Sequence, residues 1–190
     1  MSNFKLGFVI FPDLTQLDLT GPLQVLARLP KSTTFIVGKS ISPVPSDCGL
    51  SLVPTHTFAN CPALDLICIP GGVKGVTLLK GRRATTHWAY TELLPLVGAT
   101  YEKARIVQDG NLFTAGGVTA GVDFGLSIAA EIAGDTVACT IQLGIEYDPA
   151  PPFDSGHPDR APAAIKSALV DRYQKARSAL RDSITQAVMA

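Results

Sequence analysis

Short apolar runs alternate with longer amphipathic segments along the chain. The runs at residues 5–11 (KLGFVIF), 33–37 (TTFIV) and 64–69 (LDLICI) are rich in β-formers. Proline or glycine closes the first and the last of them, a pattern typical of strands buried on both faces. A weaker strand pair is expected within 48–57, a short strand at 83–85, and a hairpin over 105–108 and 112–115 around the turn Asp109-Gly110-Asn111.

The segments between these runs have helical spacing. Pro22, with Thr20 or Gly21 as the cap, predicts a helix that ends at Pro30. Further helices are predicted at 88–97, from the GGVT segment at 116–119 to about 132, and from 135 to the proline-rich stretch at 148–152. The last helix carries an apolar stripe with basic residues elsewhere, and that basic face is either solvated or a binding surface. The stripe consists of Ile165, Leu169, Tyr173, Ala176, Leu180, Ile184 and Val188.

Strands that alternate with helices predict an α/β protein with a mostly parallel sheet covered on both sides. In such sheets ligands bind beyond the carboxyl ends of the strands. Two loops take that position in this sequence. One carries Asp18 after the first strand, and the other is the Gly71-Gly72 turn after LDLICI.

The segment after the Gly71-Gly72 turn is too short to contain another helical crossover between parallel strands. Ten residues separate Gly72 from Arg83, whereas a parallel crossover needs a dozen or more, usually including a helix. Either Arg83 begins an edge or antiparallel strand, or a strand and its flanking helices are missing. Such an insert would have on the order of 35 to 40 residues.

Composition limits the class of protein. A chain of 190 residues with 46% hydrophobic and 17% charged residues predicts one soluble domain, 1–190. Sixteen basic residues balance sixteen acidic ones, so neither nucleic acid nor a membrane is an expected partner. No apolar run approaches the roughly 20 residues of a membrane span. The N-terminus lacks a signal-peptide pattern, so we expect the cytoplasm.

The cysteines, histidines and glycines indicate neither a metal nor a cofactor. The four cysteines lack CxxC spacing, and the three histidines are scattered along the chain. The glycine pairs lack the GxGxxG or GK[ST] context of a phosphate-binding loop. We therefore expect no metal and no nucleotide cofactor.

Five segments carry recognisable motifs: FPDLTQLDLTGPLQVL, DLICIPGG, LLKGRRATTHWAYTELL, VQDGNLFTAGGVTAGVDFGL and the tail IQLGIEYDPAPPFDSGHPDRAP. Together they resemble the isonitrile hydratase branch of the ThiJ/PfpI superfamily. The resemblance covers nearly all of residues 4–162. It implies a flavodoxin-like α/β sandwich, usually a homodimer, that works in the cytoplasm on a small molecule, the isonitrile. Here one strand and its flanking helices are expected to be deleted.

The resemblance also implies the residues of a site. Asp18 matches the family's acidic residue, and Gly71 and Gly72 match the turn whose backbone N–H groups stabilise developing charge. His87 lies in the THW motif that the family places near the nucleophile, and we take it as a candidate catalytic residue. The family's nucleophilic cysteine, in a Cys-Thr-Gly context, is expected between PGG and LLKGRRATTHW, where this sequence has none.

Each of these residues also has a structural interpretation. Asp18 is a common type of helix cap, and the glycine pair is a common exit from a strand. His87 would then be a histidine bonded in the first turn of its helix. None of the four cysteines is expected to replace the nucleophile. Cys68 belongs to a buried strand, Cys48 and Cys61 lie in loops without a histidine or basic cluster nearby in sequence, and Cys139 lies in the middle of a predicted helix.

Three hypotheses follow for the function. The first is an isonitrile hydratase-like protein, by family a carbon–nitrogen hydro-lyase, that is inactive as written because the cysteine segment is missing. The second is a non-catalytic binding or regulatory protein; the sensory half of an AraC-type regulator has this fold, but the chain has no room for a helix-turn-helix. The third is an incomplete gene model. Loss of a central strand predicts poor folding or dependence on an oligomer.

Overall fold

The computed structural model of the protein describes residues 3–71 and 77–189. Its strands are β1 (Phe4–Val9), β2 (Ser32–Gly38), β3 (Val44–Pro45), β4 (Ser51–Leu52), β5 (His56–Thr57), β6 (Leu66–Cys68), β7 (Arg83–Ala84), β8 (Thr100–Tyr101), β9 (Ile106–Asp109) and β10 (Leu112–Ala115). Its helices are α1 (Gln16–Leu26), α2 (Ala120–Ala133), α3 (Asp135–Gly144) and α4 (Ala163–Met189), with 3₁₀ helices at Thr77–Leu79 and Trp88–Val97. None of the helices within these ranges is long and apolar enough to cross a membrane.

The main sheet has four parallel strands in the order β5-β2-β1-β6. Gly7 in the middle of β1 lies opposite Phe35 of β2 and Ile67 of β6. The chain crosses from β1 to β2 through α1, as a parallel connection requires. The predicted α/β class with a mostly parallel sheet is therefore confirmed.

The internal contacts of the chain divide it into two compact units. The first comprises residues 1–75 and 118–146, and the second comprises residues 76–117 and 147–190. The first unit contains the parallel sheet and helices α1, α2 and α3. The second contains β7 to β10, the 3₁₀ helix Trp88–Val97 and α4. That residues 1–190 form a single domain stays a prediction.

In the first unit, α1 and α2 pack at a distance that glycine permits. A Cβ on Gly125 would lie 3.0 Å from Cβ of Val25 and 3.2 Å from Cα of Pro22. A Cβ on Gly121 would lie 3.0 Å from the Pro22 ring. These two glycines of α2 therefore let the helix backbones approach closely beside the buried strand β1.

In the second unit, a small apolar core joins the 3₁₀ helix Trp88–Val97 to α4. Its buried members are Ala84, Leu93, Leu94, Val97, Ala99 and Ile184. Ile184 is 2% exposed, whereas Ile165, at the other end of the same predicted stripe, is 50% exposed. The apolar stripe of α4 is therefore buried at Ile184 and exposed at Ile165.

The sequence placed several element boundaries wrongly. The helix expected to begin at Pro22 begins at Gln16, and Pro22 lies inside it. The Gln16 N–H donates to the side chain of Asp47, which is distant in sequence. The residues next to Gln16 therefore carry no capping pattern that marks the start of α1. Strand β6 has three residues rather than six. The hairpin β9–β10 and strand β2 have the predicted positions.

Candidate functional site

Asp18 and Gly71 are brought together at the carboxyl ends of two neighbouring strands. Asp18 is the third residue of α1, which follows β1, and Gly71 lies three residues beyond β6. The Gly71 backbone N–H donates a hydrogen bond of 3.0 Å to Oδ2 of Asp18. The Gly71 carbonyl in turn accepts a hydrogen bond of 3.1 Å from the Thr15 N–H. The loop after β1 and the turn after β6 are thus joined in both directions.

The turn needs glycine at position 71 because the carboxylate lies against its backbone. A Cβ built on Gly71 would lie 2.4 Å from Oδ2 of Asp18, a separation that real Cβ atoms do not show. A larger residue would push the carboxylate away from the N–H that binds it. The close approach of the Asp18 carboxylate to the backbone therefore favours glycine at this point of the turn after β6.

Burial raises the pKa of the Asp18 carboxyl from 3.8 to about 6. Two further groups act on it in opposite directions. The hydrogen bond from Gly71 favours the ionised form, and the negative charge of Asp47 disfavours it. A carboxyl with a pKa of about 6 is ionised in most molecules at neutral pH and protonated in a minority of them, so it is able both to accept and to donate a proton.

Cys68 is the cysteine that lies within the electrostatic reach of Asp18. It ends β6, is 4% exposed, and its pKa is raised to about 12, first by burial and second by the Asp18 charge. Roughly one thiol in 10⁵ is then ionised at pH 7. The hydrogen bonds of the described residues do not join this thiol to the carboxylate. Cys68 is therefore a buried, protonated thiol beside an acid.

The other three cysteines lie at separate places in the first unit. Cys48 is exposed in the loop between β3 and β4, with its Sγ 3.5 Å from Oγ of Ser46. Cys61 is half-buried, and Cys139 is exposed in α3. Cys61 lines an open apolar cavity of about 280 Å³. The other residues that line the cavity are Val9, Val37, Phe58, Pro62, Leu64 and Ile67.

His87 lies in the second unit, at the N-cap of the 3₁₀ helix Trp88–Val97. Its Nδ1 accepts a hydrogen bond of 3.3 Å from the Ala89 N–H. Its ring lies 5.5 to 5.7 Å, centre to centre, from the rings of Trp88, Tyr90 and Tyr173. Burial lowers the pKa of this histidine. These contacts match the structural interpretation, in which His87 bonds within the first turn of its helix.

Gly72, the second glycine predicted for the backbone donor turn, lies outside the described residues. Asp47, in contrast, is a member of the site that the sequence did not indicate. Its Oδ1 accepts the Gln16 N–H at 3.1 Å, and its charge acts on Asp18. Asp47 lies in a loop 29 residues after Asp18, and nothing in the sequence around it indicates that it contacts the start of α1. Within residues 3–71 and 77–189, no group of three or more His, Cys, Asp or Glu side chains is arranged to hold a metal ion.

Comparison with known proteins identifies the family of this chain. The DJ-1/PfpI family matches residues 75–131. A ThiJ/PfpI family protein from Pseudomonas syringae superposes with a TM-score of 0.91 at 34% identity, over 97% of this chain and 91% of that one. DJ-1beta from Drosophila melanogaster superposes with a TM-score of 0.65 at 19% identity, over 77% and 98% of the two chains, and so shares the fold. The chain belongs to the DJ-1/PfpI family.

A curated relative narrows the position within that family. The isonitrile hydratase of Pseudomonas putida is 46% identical, over 98% of this chain and 96% of its own length. The predicted membership of the isonitrile hydratase branch is therefore confirmed. The alignment spans 224 positions against a chain of 190 residues, so at least 34 positions of the alignment have no residue of this chain.

Proposed function

We propose that this chain is an isonitrile hydratase-like protein that keeps the proton-handling part of the site and lacks the nucleophile. Asp18 would manage the protons, and the Gly71-Gly72 turn would present backbone N–H groups to developing charge. The observation that carries this proposal is the Asp18–Gly71 hydrogen bond, made by a carboxyl whose pKa is about 6. The substrate class is a small isonitrile, which hydration converts to an N-substituted formamide.

The chemistry of an isonitrile explains why a carboxyl of this kind is useful. Hydration puts a hydrogen on the nitrogen and an oxygen and a hydrogen on the terminal carbon. Both protons of the water are therefore transferred, one to the carbon and one to the nitrogen, so a group is needed that takes protons from water and gives them to the substrate. Near neutral pH the Asp18 carboxyl exchanges between its two protonation states, which suits a group that acts first as an acid and then as a base.

The nucleophilic step lacks a suitable group. The terminal carbon is soft and reacts with a thiolate, while a neutral hydroxyl or thiol is a poor nucleophile near pH 7. Cys68 is the cysteine coupled to Asp18, and its pKa of about 12 keeps it protonated. We therefore propose that the chain does not complete the hydration by the thiolate route.

The length of the alignment supports a missing segment. At least 34 alignment positions have no residue here, close to the 35 to 40 expected for a strand with two helices. The chain also has few residues between Gly71 and β7, where that segment would fit. We propose that the nucleophile belongs to a segment absent from this point of the chain.

His87 and the quaternary state complete the proposal. We propose a structural role for His87 within the second unit, since its ring caps a helix and packs among three aromatic rings. A homodimer in the cytoplasm, without a metal or nucleotide cofactor, stays part of the proposal on the strength of the family resemblance.

A second candidate function is binding without turnover. The protonated thiol of Cys68 next to an intact Asp18–Gly71 pair favours it, because recognition of a polarised ligand needs the hydrogen-bonding groups and not the thiolate. Such a protein would bind an isonitrile, or the formamide derived from it, and serve a regulatory role.

The test is an assay of the purified chain with an aromatic isonitrile, in which formamide is separated by chromatography. We expect no formamide above the uncatalysed background, and the same result for Asp18→Asn. Calorimetric titration with the isonitrile then separates the two candidates, because binding without product supports the regulatory one. Formamide production that disappears in Cys68→Ser or Cys48→Ser would overturn the proposal.

A chimera gives the positive control. The segment of the Pseudomonas putida hydratase that has no counterpart here would be inserted between Val76 and Thr77. We expect formamide production from this chimera, and its loss when Asp18→Asn is added. A chimera that folds, as judged by circular dichroism, and stays inactive would contradict the assigned role of the segment.

A further inference from the structure

The start of α1 is fixed by a residue that is distant in sequence. Thr15 occupies the N-cap position but makes no side-chain hydrogen bond to the helix. Instead Oδ1 of Asp47 accepts the N–H of Gln16, the first residue of α1, at 3.1 Å. Because the first N–H groups of a helix have no partner within it, a carboxylate at this point both satisfies a donor and interacts favourably with the helix dipole.

The backbone around Asp47 holds that carboxylate in place. The Asp47 N–H donates to the Leu14 carbonyl at 3.1 Å, and the Asp13 N–H donates to the Pro45 carbonyl at 2.9 Å. Asp13 has a φ of 63°, in the left-handed region that aspartate tolerates better than most residues. The loop before α1 is therefore bonded to the loop that carries Asp47, with Leu14 wholly buried between them.

The same short stretch is held on its other side by Gly71. The Thr15 N–H donates to the Gly71 carbonyl, and two residues into α1 the Asp18 carboxylate accepts the Gly71 N–H. The first turn of α1 thus has Asp47 at its end and Gly71 beside it. A change in where the helix begins would move Asp18 relative to Gly71.

We propose that Asp47 is a positioning residue for Asp18: it caps the helix that carries Asp18 and so sets the carboxyl against the Gly71 N–H. The role extends to electrostatics, because the Asp47 charge disfavours ionisation of Asp18. This inference deepens the proposed function, since it concerns the same carboxyl.

Titratable side chains lie on several of the elements around Asp18. The loop between β3 and β4 contributes Asp47, and β6 contributes Cys68, whose thiol stays protonated near neutral pH. Helix α2, which packs against α1, carries Asp123 and Glu131. The causes of the Asp18 shift are burial, the Gly71 N–H and Asp47, so Asp47 is the charge whose removal is expected to move it.

Two substitutions separate the cap from the charge. Asp47→Asn keeps a side-chain oxygen that accepts the Gln16 N–H, and asparagine is as good a cap as aspartate. Asp47→Ala removes both the acceptor and the charge. Asp65→Asn is the matched control, because Oδ2 of Asp65 accepts the Lys5 N–H at 2.8 Å elsewhere in the same unit.

The measurements are the Asp18 titration midpoint, from ¹³C NMR of the carboxyl, and hydrogen exchange of the Gln16 amide. We expect Asp47→Asn to lower the midpoint from about 6 and to leave Gln16 exchange unchanged. Asp47→Ala is expected to speed that exchange several-fold, and Asp65→Asn to change neither.

Either of two results would overturn the proposal: an Asp18 midpoint that Asp47→Asn does not lower, or Gln16 exchange that Asp47→Ala does not speed. If Asp47→Ala fails to fold, the Asp18 titration midpoint measured in Asp47→Asn decides the test on its own. These readouts do not depend on turnover. Formamide production by the unmodified chain would refute the proposed function and leave the positioning role standing.

Discussion

The charge on Asp18 is expected to cost the protein stability at the pH where the carboxyl is ionised. Replacement by asparagine isolates that cost. The amide has nearly the same shape as the carboxylate, and its oxygen is able to accept the Gly71 N–H that now lies 3.0 Å from Oδ2. The substitution therefore removes the ionisable group while it preserves the contact.

The size of the effect follows from the pKa. The folded carboxyl titrates at about 6 rather than 3.8, so between these two values the folded state binds more protons than the unfolded state. Its favourable contribution is present below pH 3.8 and is lost as the pH rises through 6. At 1.36 kcal/mol per pKa unit the loss has an upper limit of about 3 kcal/mol, and solvent screening of this half-buried side chain reduces it to about 1–2 kcal/mol.

Urea unfolding at pH 4 and pH 8, followed by circular dichroism, measures this difference. We expect Asp18→Asn to be more stable than the unmodified protein by about 1–2 kcal/mol at pH 8 and nearly equal to it at pH 4. Hydrogen exchange of the β1 amides reports the same change within the first unit. Asp65→Asn serves as the control and is expected to show no such gain.

The result that would refute the reasoning is a variant no more stable than the unmodified protein at pH 8. Equal pH dependence in the two proteins would have the same meaning. Either result would show that the Asp18 carboxyl is solvated in the folded state, and the argument for its role as a proton donor near neutral pH would fail with it.

Three further substitutions test other contacts. Gly71→Ala places a Cβ 2.4 Å from Oδ2 of Asp18, so the carboxylate must move from the N–H and its pKa should rise; a ¹³C titration midpoint at or below the original value would contradict this. Gly125→Ala should force α1 and α2 apart and lower the free energy of unfolding in urea by about 1–3 kcal/mol. The control Gly144→Ala, whose Cβ would lie in open space, should leave that free energy unchanged. Equal urea midpoints for the two variants would argue against close packing of the helices. His87→Ala removes a cap and an aromatic contact and should destabilise the second unit by about 1–2 kcal/mol, read from tryptophan fluorescence; an unchanged transition would leave His87 free for another role.

Hydrophobic patterning located strands β1 and β2 and the hairpin β9–β10. The runs at 5–11 and 33–37 correspond to β1 and β2, and the Asp-Gly-Asn turn to the hairpin β9–β10. The closeness of Asp18 and Gly71 was also foreseeable, because residues that follow neighbouring parallel strands meet at one edge of the sheet. These predictions succeed because strand burial depends on residues a few positions apart.

Patterning failed where a contact joined residues distant in sequence. Pro22 suggested the start of α1, but the helix begins six residues earlier because Asp47 caps it from another loop. The apolar stripe of α4 was visible in the sequence, but patterning did not show which of its members are buried: Ile184 is 2% exposed and Ile165 is 50% exposed.

Taken alone, the order of amino acids determined the α/β class and the branch of the family, and it put forward Asp18 and Gly71 as candidates for a site. Tertiary structure decided which atoms of those residues touch, how burial raises the carboxyl pKa, and which distant aspartate holds the helix in place. The physical reason is that strand and helix patterns arise from neighbours along the chain, whereas desolvation and charge coupling depend on groups that folding brings together.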